Sequence, residues 1–133
     1  MRARSRFALW GPVVVYLAFI FALSSITHPP ELPSGFDKDL HAILYTGLGL
    51  LLARALSGGL AHRVTLGVMV ATTVLAMLYG ISDEIHQIFV PPRQVEVLDV
   101  VADTIGGALG AGALYAWGII RTRHGLREPS DRA

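Results

Sequence analysis

Val64-Thr65-Leu66-Gly67-Val68-Met69-Val70-Ala71-Thr72-Thr73-Val74-Leu75-Ala76-Met77-Leu78-Tyr79-Gly80-Ile81 carries no charge and runs straight into Ser82-Asp83-Glu84-Ile85-His86-Gln87. The first half has the length and apolarity of a membrane span, since about 20 residues rising 1.5 Å each cross a hydrocarbon core of about 30 Å. Backbone groups in lipid must be bonded within their own segment, so the span is expected to be helical. The second half puts titratable groups where that helix leaves the membrane.

Working outward, three more segments meet the same length criterion. They run from about Ala8 to Ile26, from about Leu40 to Leu56 with Arg54 near enough to its end to snorkel, and from about Val100 to Ile120 with the single acid Asp103. His28-Pro29-Pro30-Glu31-Leu32-Pro33-Ser34-Gly35 breaks the chain after the first span, Ser57-Gly58-Gly59 after the second, and Pro91-Pro92 after the third. The expected fold is all-α, an antiparallel four-transmembrane-helix bundle in one domain over 1–133, with no internal repeat and a disordered tail from Arg121 onward. Composition agrees: 53% of the 133 residues are apolar and 16% charged, against about 25% charged in a soluble domain. Mean hydropathy is +0.53. The absence of cysteine excludes disulfides, thiolate metal sites and thiol nucleophiles, and a net charge of +1 lends nothing to nucleic-acid binding.

Basic residues set the expected direction. Four spans put both termini on one side, with Arg2, Arg4, Arg6, Arg54, Arg63, Arg121, Arg123, Arg127 and Arg132, and leave only Lys38 and Arg93 on the other. Both termini are therefore expected in the cytoplasm. Trp10, Tyr115 and Trp117 then lie at the cytoplasmic interface as anchors. The acids Glu31, Asp37, Asp39, Asp83, Glu84, Glu96, Asp99 and Asp103 gather on or near the outer side.

That second asymmetry has helical spacing. Asp37, His41 and Tyr45 lie four apart at the start of the second helix, Tyr79, Asp83, His86 and Gln87 share one face at the end of the third, Asp99 and Asp103 open the fourth, and Ser24-Ser25 close the first. A bundle would point these groups at one another. An ionisable group at membrane depth costs about 2.5–3.5 kcal/mol on insertion scales, faces the interior, and is a functional candidate by default. The bland alternative is that the groups only pair with each other, Asp with His and Asp with Arg93. Gly106-x-x-x-Gly110 is a close-packing signature that would press the acid-bearing helix against a neighbour.

The ordered string of residues resembles the VanZ-like family of small bacterial membrane proteins, named for a protein associated with teicoplanin resistance. The resemblance runs from Ser24-Ser25 and the Pro-rich loop through Asp37-Lys38-x-x-His41-x-x-x-Tyr45-x-x-Leu48-Gly49. It continues in Tyr79-Gly80-x-Ser82-Asp83-Glu84-x-His86-Gln87-x-Phe89-Val90-Pro91-x-Arg93 and Asp99-x-x-x-Asp103-x-x-Gly106. It implies a multi-pass protein of the bacterial cell membrane linked to envelope processes or glycopeptide susceptibility, and supplies no reaction.

Three classes of function stay open. A membrane-embedded enzyme acting on an envelope lipid or precursor would draw on Asp37, His41, Tyr45, Ser82, Asp83, Glu84, His86, Gln87, Asp99 and Asp103, with His41 or His86 as acid or base and Ser82 or Ser25 as nucleophile. Ser24, Ser25, Lys38, Tyr79 and Arg93 are expected binding residues, Arg93 as an anion clamp. No named catalytic motif is present, and no cofactor is expected, with one metal option. Asp83-x-x-His86 has the i, i+3 carboxylate–histidine spacing of bundle metal sites, and Asp99 and Asp103 could complete it. Alternatively the chain binds a drug, a lipid or protons without chemistry, or serves as a structural partner of an envelope complex. Its certain partner is the bilayer, and oligomeric state is left open.

The first span also begins with arginines and ends near Ala22-x-Ser24, as a cleaved signal would, but its apolar run exceeds the usual 7–15 residues of a signal core. Intact mass spectrometry of the purified protein is expected to find residues 1–24 retained; their loss would reduce the bundle to three helices.

Overall fold

A computed structural model describes residues 5–28, 30, 31, 33 and 35–125, with side chains as far as Arg123. Its four helices are α1 (Arg6–Ser24), α2 (Phe36–Leu56), α3 (Leu66–Gln87) and α4 (Val97–Gly125), with no strand among the described residues. All four are long and apolar enough to cross a membrane. The chain runs up and down, so the end of α1, the start of α2, the end of α3 and the start of α4 meet at one end of the bundle.

At that shared end α1 stops at Ser24, short of the expected Ile26, whereas the other three helices overrun their expected apolar segments. Helix α2 starts at Phe36 rather than Leu40, α3 ends at Gln87 rather than Ile81, and α4 starts at Val97 rather than Val100. A hydropathy criterion counts only residues that suit hydrocarbon, whereas a helix continues while its backbone stays bonded. Asp37 and Asp39 in the first turn of α2, and Asp99 in the first turn of α4, favour those starts through the helix dipole. At the other end residues 121–125, expected in a disordered tail, extend α4. Residues 126–133 lie outside the described residues.

Large apolar side chains point outward all around the bundle: Phe7, Val14, Val15, Phe19, Ile43, Val70, Leu78, Ile105 and Leu109 are exposed. A soluble surface avoids apolar area on that scale, whereas lipid tails accept it. The interior mixes a cluster around Leu9, Val13, Ile20, Tyr45, Leu48 and Leu52 with small residues such as Ala53, Ala76 and Ala111. The tightest contact is α2 on α4. Gly106 sits against the Ala42 carbonyl and Gly110 against the Thr46 carbonyl, and Gly49 against the Gly107 carbonyl, each so close that a Cβ could not be added without movement. The glycine pair expected to serve close packing does so here.

Helix α1 is held differently. It packs mainly on α2, and side chains of other helices bond its backbone along its length. Pro12 has no N–H to give the Ala8 carbonyl four residues earlier, and the Arg54 guanidinium reaches across from α2 to donate to that carbonyl at 3.1 Å and to Leu9 at 3.4 Å. Tyr79 donates to the Leu17 carbonyl at 2.7 Å from α3. In the other direction the Tyr16 hydroxyl donates to the Leu44 carbonyl of α2 at 2.9 Å. Beyond Ser24, Arg93 donates to the carbonyls of Ile26 and Leu23 at 3.2 and 3.4 Å, a cation at a helix C-terminus.

Replacing Gly106 by leucine forces α2 and α4 apart and is expected to lower stability by about 1–3 kcal/mol, the usual cost of overpacking a tight interface. Unfolding in micelles followed by circular dichroism measures it. Gly112, with open space around it, is the control and should tolerate alanine.

Candidate functional site

The α2–α4 contact decides which polar groups meet. One turn beyond Gly106, Asp103 is fully buried, and its Oδ1 lies 2.9 Å from Nδ1 of His41 on α2. A carboxylate accepts, so Nδ1 carries the hydrogen of that bond and Nε2 faces the other way. There it lies 3.7 Å from Oδ2 of Asp99, whose Oδ1 accepts from the Lys38 ammonium at 2.9 Å. Lys38 also bonds Glu96. Two carboxylates of α4, four residues apart, are thus matched by a lysine and a histidine of α2, three residues apart.

Helix α3 supplies a third wall, and its geometry splits what the sequence grouped together. At about 100° per residue, Tyr79 and His86 fall within about 20° of each other, Asp83 and Gln87 lie about 40° and 80° further round, and Gly80 and Glu84 about 100° and 140°. The first pair faces α1. Tyr79 bonds the Leu17 carbonyl, and His86 Nε2 lies 3.0 Å from the Ser25 hydroxyl, with its ring against Phe21 at 4.5 Å between centroids. The middle pair is buried at the centre, Asp83 beside Ser24. The last pair faces α4. Gly80 makes room for the Asp103 carboxylate, since a Cβ there would stand 2.6 Å from Oδ2. Glu84, 3% exposed, accepts from the Glu96 backbone N–H at 2.8 Å and so pins the segment entering α4.

Four buried polar atoms have no hydrogen-bond partner among the described residues: Thr72 Oγ1 in the middle of α3, and the Tyr45 hydroxyl, Glu84 Oε1 and Asp103 Oδ2 at the polar end. Native interiors rarely leave such atoms unpaired, and three of the four lie together at this end.

A cavity of about 430 Å³ opens over this region between α1, α2 and α3. Asp37, His41, Tyr45, Asp83, Gln87 and Arg93 line its polar side, and Ile20, Leu23, Leu40 and Leu44 its apolar side. A second hollow of about 260 Å³ adjoins it, lined by Asp37, Gln87, Arg93, Glu96 and Asp99. Asp37, Gln87 and Arg93 belong to both.

Not every candidate belongs here. Ser82 is exposed, and its hydroxyl bonds back to the Tyr79 carbonyl at 2.7 Å, one helix position off the polar face, which removes it as a nucleophile in this cavity. Arg93 borders the cavity with part of its guanidinium committed to α1, rather than standing free as a clamp. The metal set Asp83, His86, Asp99 and Asp103 is not assembled, because His86 turns to α1 and Asp103 to His41. Ligand atoms close enough for one ion come instead from Asp37, His41 and Asp99, all within 4.8 Å of one another. Glu96, absent from the expected site, joins Lys38 and Glu84 in the network. Its i, i+3 spacing to Asp99 was the available signal. The apolar lining had no such signal, since Leu40 and Leu44 look like any other membrane residue.

A family model described as VanZ/LLP1 matches residues 5–120 of the chain. No curated protein and no solved structure matches it.

Asp103→Ala leaves His41 without its acceptor and is expected to cost about 1–3 kcal/mol. Asp103→Asn, which keeps an accepting oxygen, should cost less, and Ser82→Ala nothing measurable. Thermal unfolding of the purified variants in detergent gives the order.

Proposed function

The chain belongs to the VanZ/LLP1 family, and on that premise we propose that it binds an envelope amphiphile, a lipid or lipid-linked precursor or a glycopeptide such as teicoplanin. The polar part would sit at the outer ends of the helices and the apolar part between α1 and α2. One observation carries this: the 430 Å³ cavity has a charged floor and an aliphatic side, and it is bounded by α1, which packs mainly on α2 and little on α3. Ligand pockets are mostly apolar with a few convergent polar groups, and this lining has that division. Asp37 and His41 would meet donors on the head, and the remaining N–H groups of Arg93 an anionic oxygen.

The nine-to-two distribution of basic residues supports a bacterial cell-membrane protein with both termini in the cytoplasm and the cavity toward the outer leaflet. Binding there would alter cell-envelope assembly or glycopeptide susceptibility.

A second reading is favoured by the Asp103–His41 pair. A carboxylate that orients an imidazole and leaves Nε2 toward the cavity is the arrangement of a general base or acid. Incubating purified protein with labelled envelope lipids and finding a new chemical species would select the enzyme over the binder.

Leu44→Trp fills the cavity from its apolar side and leaves every polar group in place. It is expected to abolish retention of the amphiphile by the purified protein, read by native mass spectrometry, and the teicoplanin phenotype of cells expressing it, at unchanged membrane abundance. Full retention and phenotype in that variant would sink the proposal.

A further inference from the structure

We infer that Asp37, His41 and Asp99 form a binding site for a single divalent transition-metal ion, zinc or manganese, at the junction of the two cavities. The inference stands on ligand geometry, whether or not an amphiphile fills the larger cavity. Asp37 and His41 lie one turn apart on α2, and Asp99 comes from the facing turn of α4. Their ligand atoms already lie within 4.8 Å of one another, and His41 Nε2 and Asp99 Oδ2 are 3.7 Å apart. Ligands about 2.0–2.2 Å from an ion stand about 3–3.5 Å from each other, so rotation of the half-buried Asp37 closes the set.

The supporting groups point the same way. Asp103 takes the Nδ1 hydrogen of His41, which leaves Nε2 as the lone-pair nitrogen a metal requires; a carboxylate behind a ligating histidine is the common outer partner. Lys38 holds the Oδ1 of Asp99 and leaves Oδ2 for the ion. The ammonium opposes a cation, but Glu96 and Asp99 both bond it, and Asp37 and Asp103 add two more carboxylates beside His41.

An independent observation comes from α3. Gln87 is 2% exposed, makes no side-chain hydrogen bond among the described residues, and lines both hollows beside Asp37. Its amide borders the hollows rather than a neighbouring side chain, and its carbonyl oxygen there is a ready fourth ligand. One imidazole with carboxylate and amide oxygens suits zinc or manganese better than softer ions. The position open to the cavities would take an anionic oxygen of whatever binds there.

The test uses the full chain in micelles, freed of metal by chelator. Titration with zinc chloride by calorimetry, and with manganese by electron paramagnetic resonance, is expected to show one ion per chain and a rise in the unfolding midpoint. Asp37 has no side-chain hydrogen bond among the described residues, so Asp37→Asn forfeits only a charge at the helix start and should unfold slightly below the metal-free parent while binding the ion at least tenfold more weakly. Gln87→Leu should also weaken binding, and His28→Ala, at an exposed histidine, should not. The site is overturned by the absence of saturable binding near one equivalent, by Asp37→Asn binding within twofold of the parent, or by binding that disappears with His28→Ala instead.

Discussion

The close approach of α2 and α4 across Gly49, Gly106 and Gly110 is the contact on which the polar end of the bundle depends. Backbone-to-backbone packing at that crossing places the first turns of the two helices side by side, within reach of Lys38 and His41 on one and Asp99 and Asp103 on the other. In hydrocarbon there is little hydrophobic gain from bringing helices together, so small residues that allow close van der Waals contact set the geometry. The charges then follow that geometry. An Asp103 carboxylate without His41 would be an unpaired charge inside a membrane, so the pairing and the crossing each require the other.

Helix α1 obeys another logic. Hydroxyl and guanidinium groups tie it to its neighbours: Arg54 near its start, Tyr16 and Tyr79 along its length, Ser25 and Arg93 at its end. Such ties position a helix without requiring continuous packing, and the cavity lies where packing is incomplete. The two basic residues with a clear task at the ends of α1, Arg54 and Arg93, each donate to a carbonyl that the helix cannot bond itself: Ala8, which Pro12 leaves open, and Ile26, beyond the helix terminus. A charge that looks, in sequence, like a topology signal or an anion clamp is thus also a backbone partner.

The polar cluster therefore divides into groups that the fold consumes and groups that it leaves available. Tyr79, Ser25, His86, Glu84 and much of Arg93 bond other elements. Asp37, Gln87 and Tyr45 face the cavities without a side-chain hydrogen bond among the described residues, and His41 borders the larger one with Nε2 toward Asp99. That division gives the cavity a polar floor of acids and donors against an aliphatic wall.

The sequence by itself determined four spans, their up-and-down order, and the gathering of Asp37, His41, Asp83, Asp99 and Asp103 at one end. Those features rest on hydropathy, on length and on the 3.6-residue period, all local properties of the chain. Tertiary structure alone decided that His41 pairs with Asp103 rather than with Asp37 on its own helix, and that His86 serves α1. It also decided that Ser82 faces outward although it lies inside the most recognisable motif, and that Gln87 joins Asp37 between the two hollows. A period says which residues share a face, but a face about 140° wide touches three neighbours at once. Only the crossing angle and depth of each helix, set here by glycines and backbone hydrogen bonds far along the chain, choose the neighbour for each side chain.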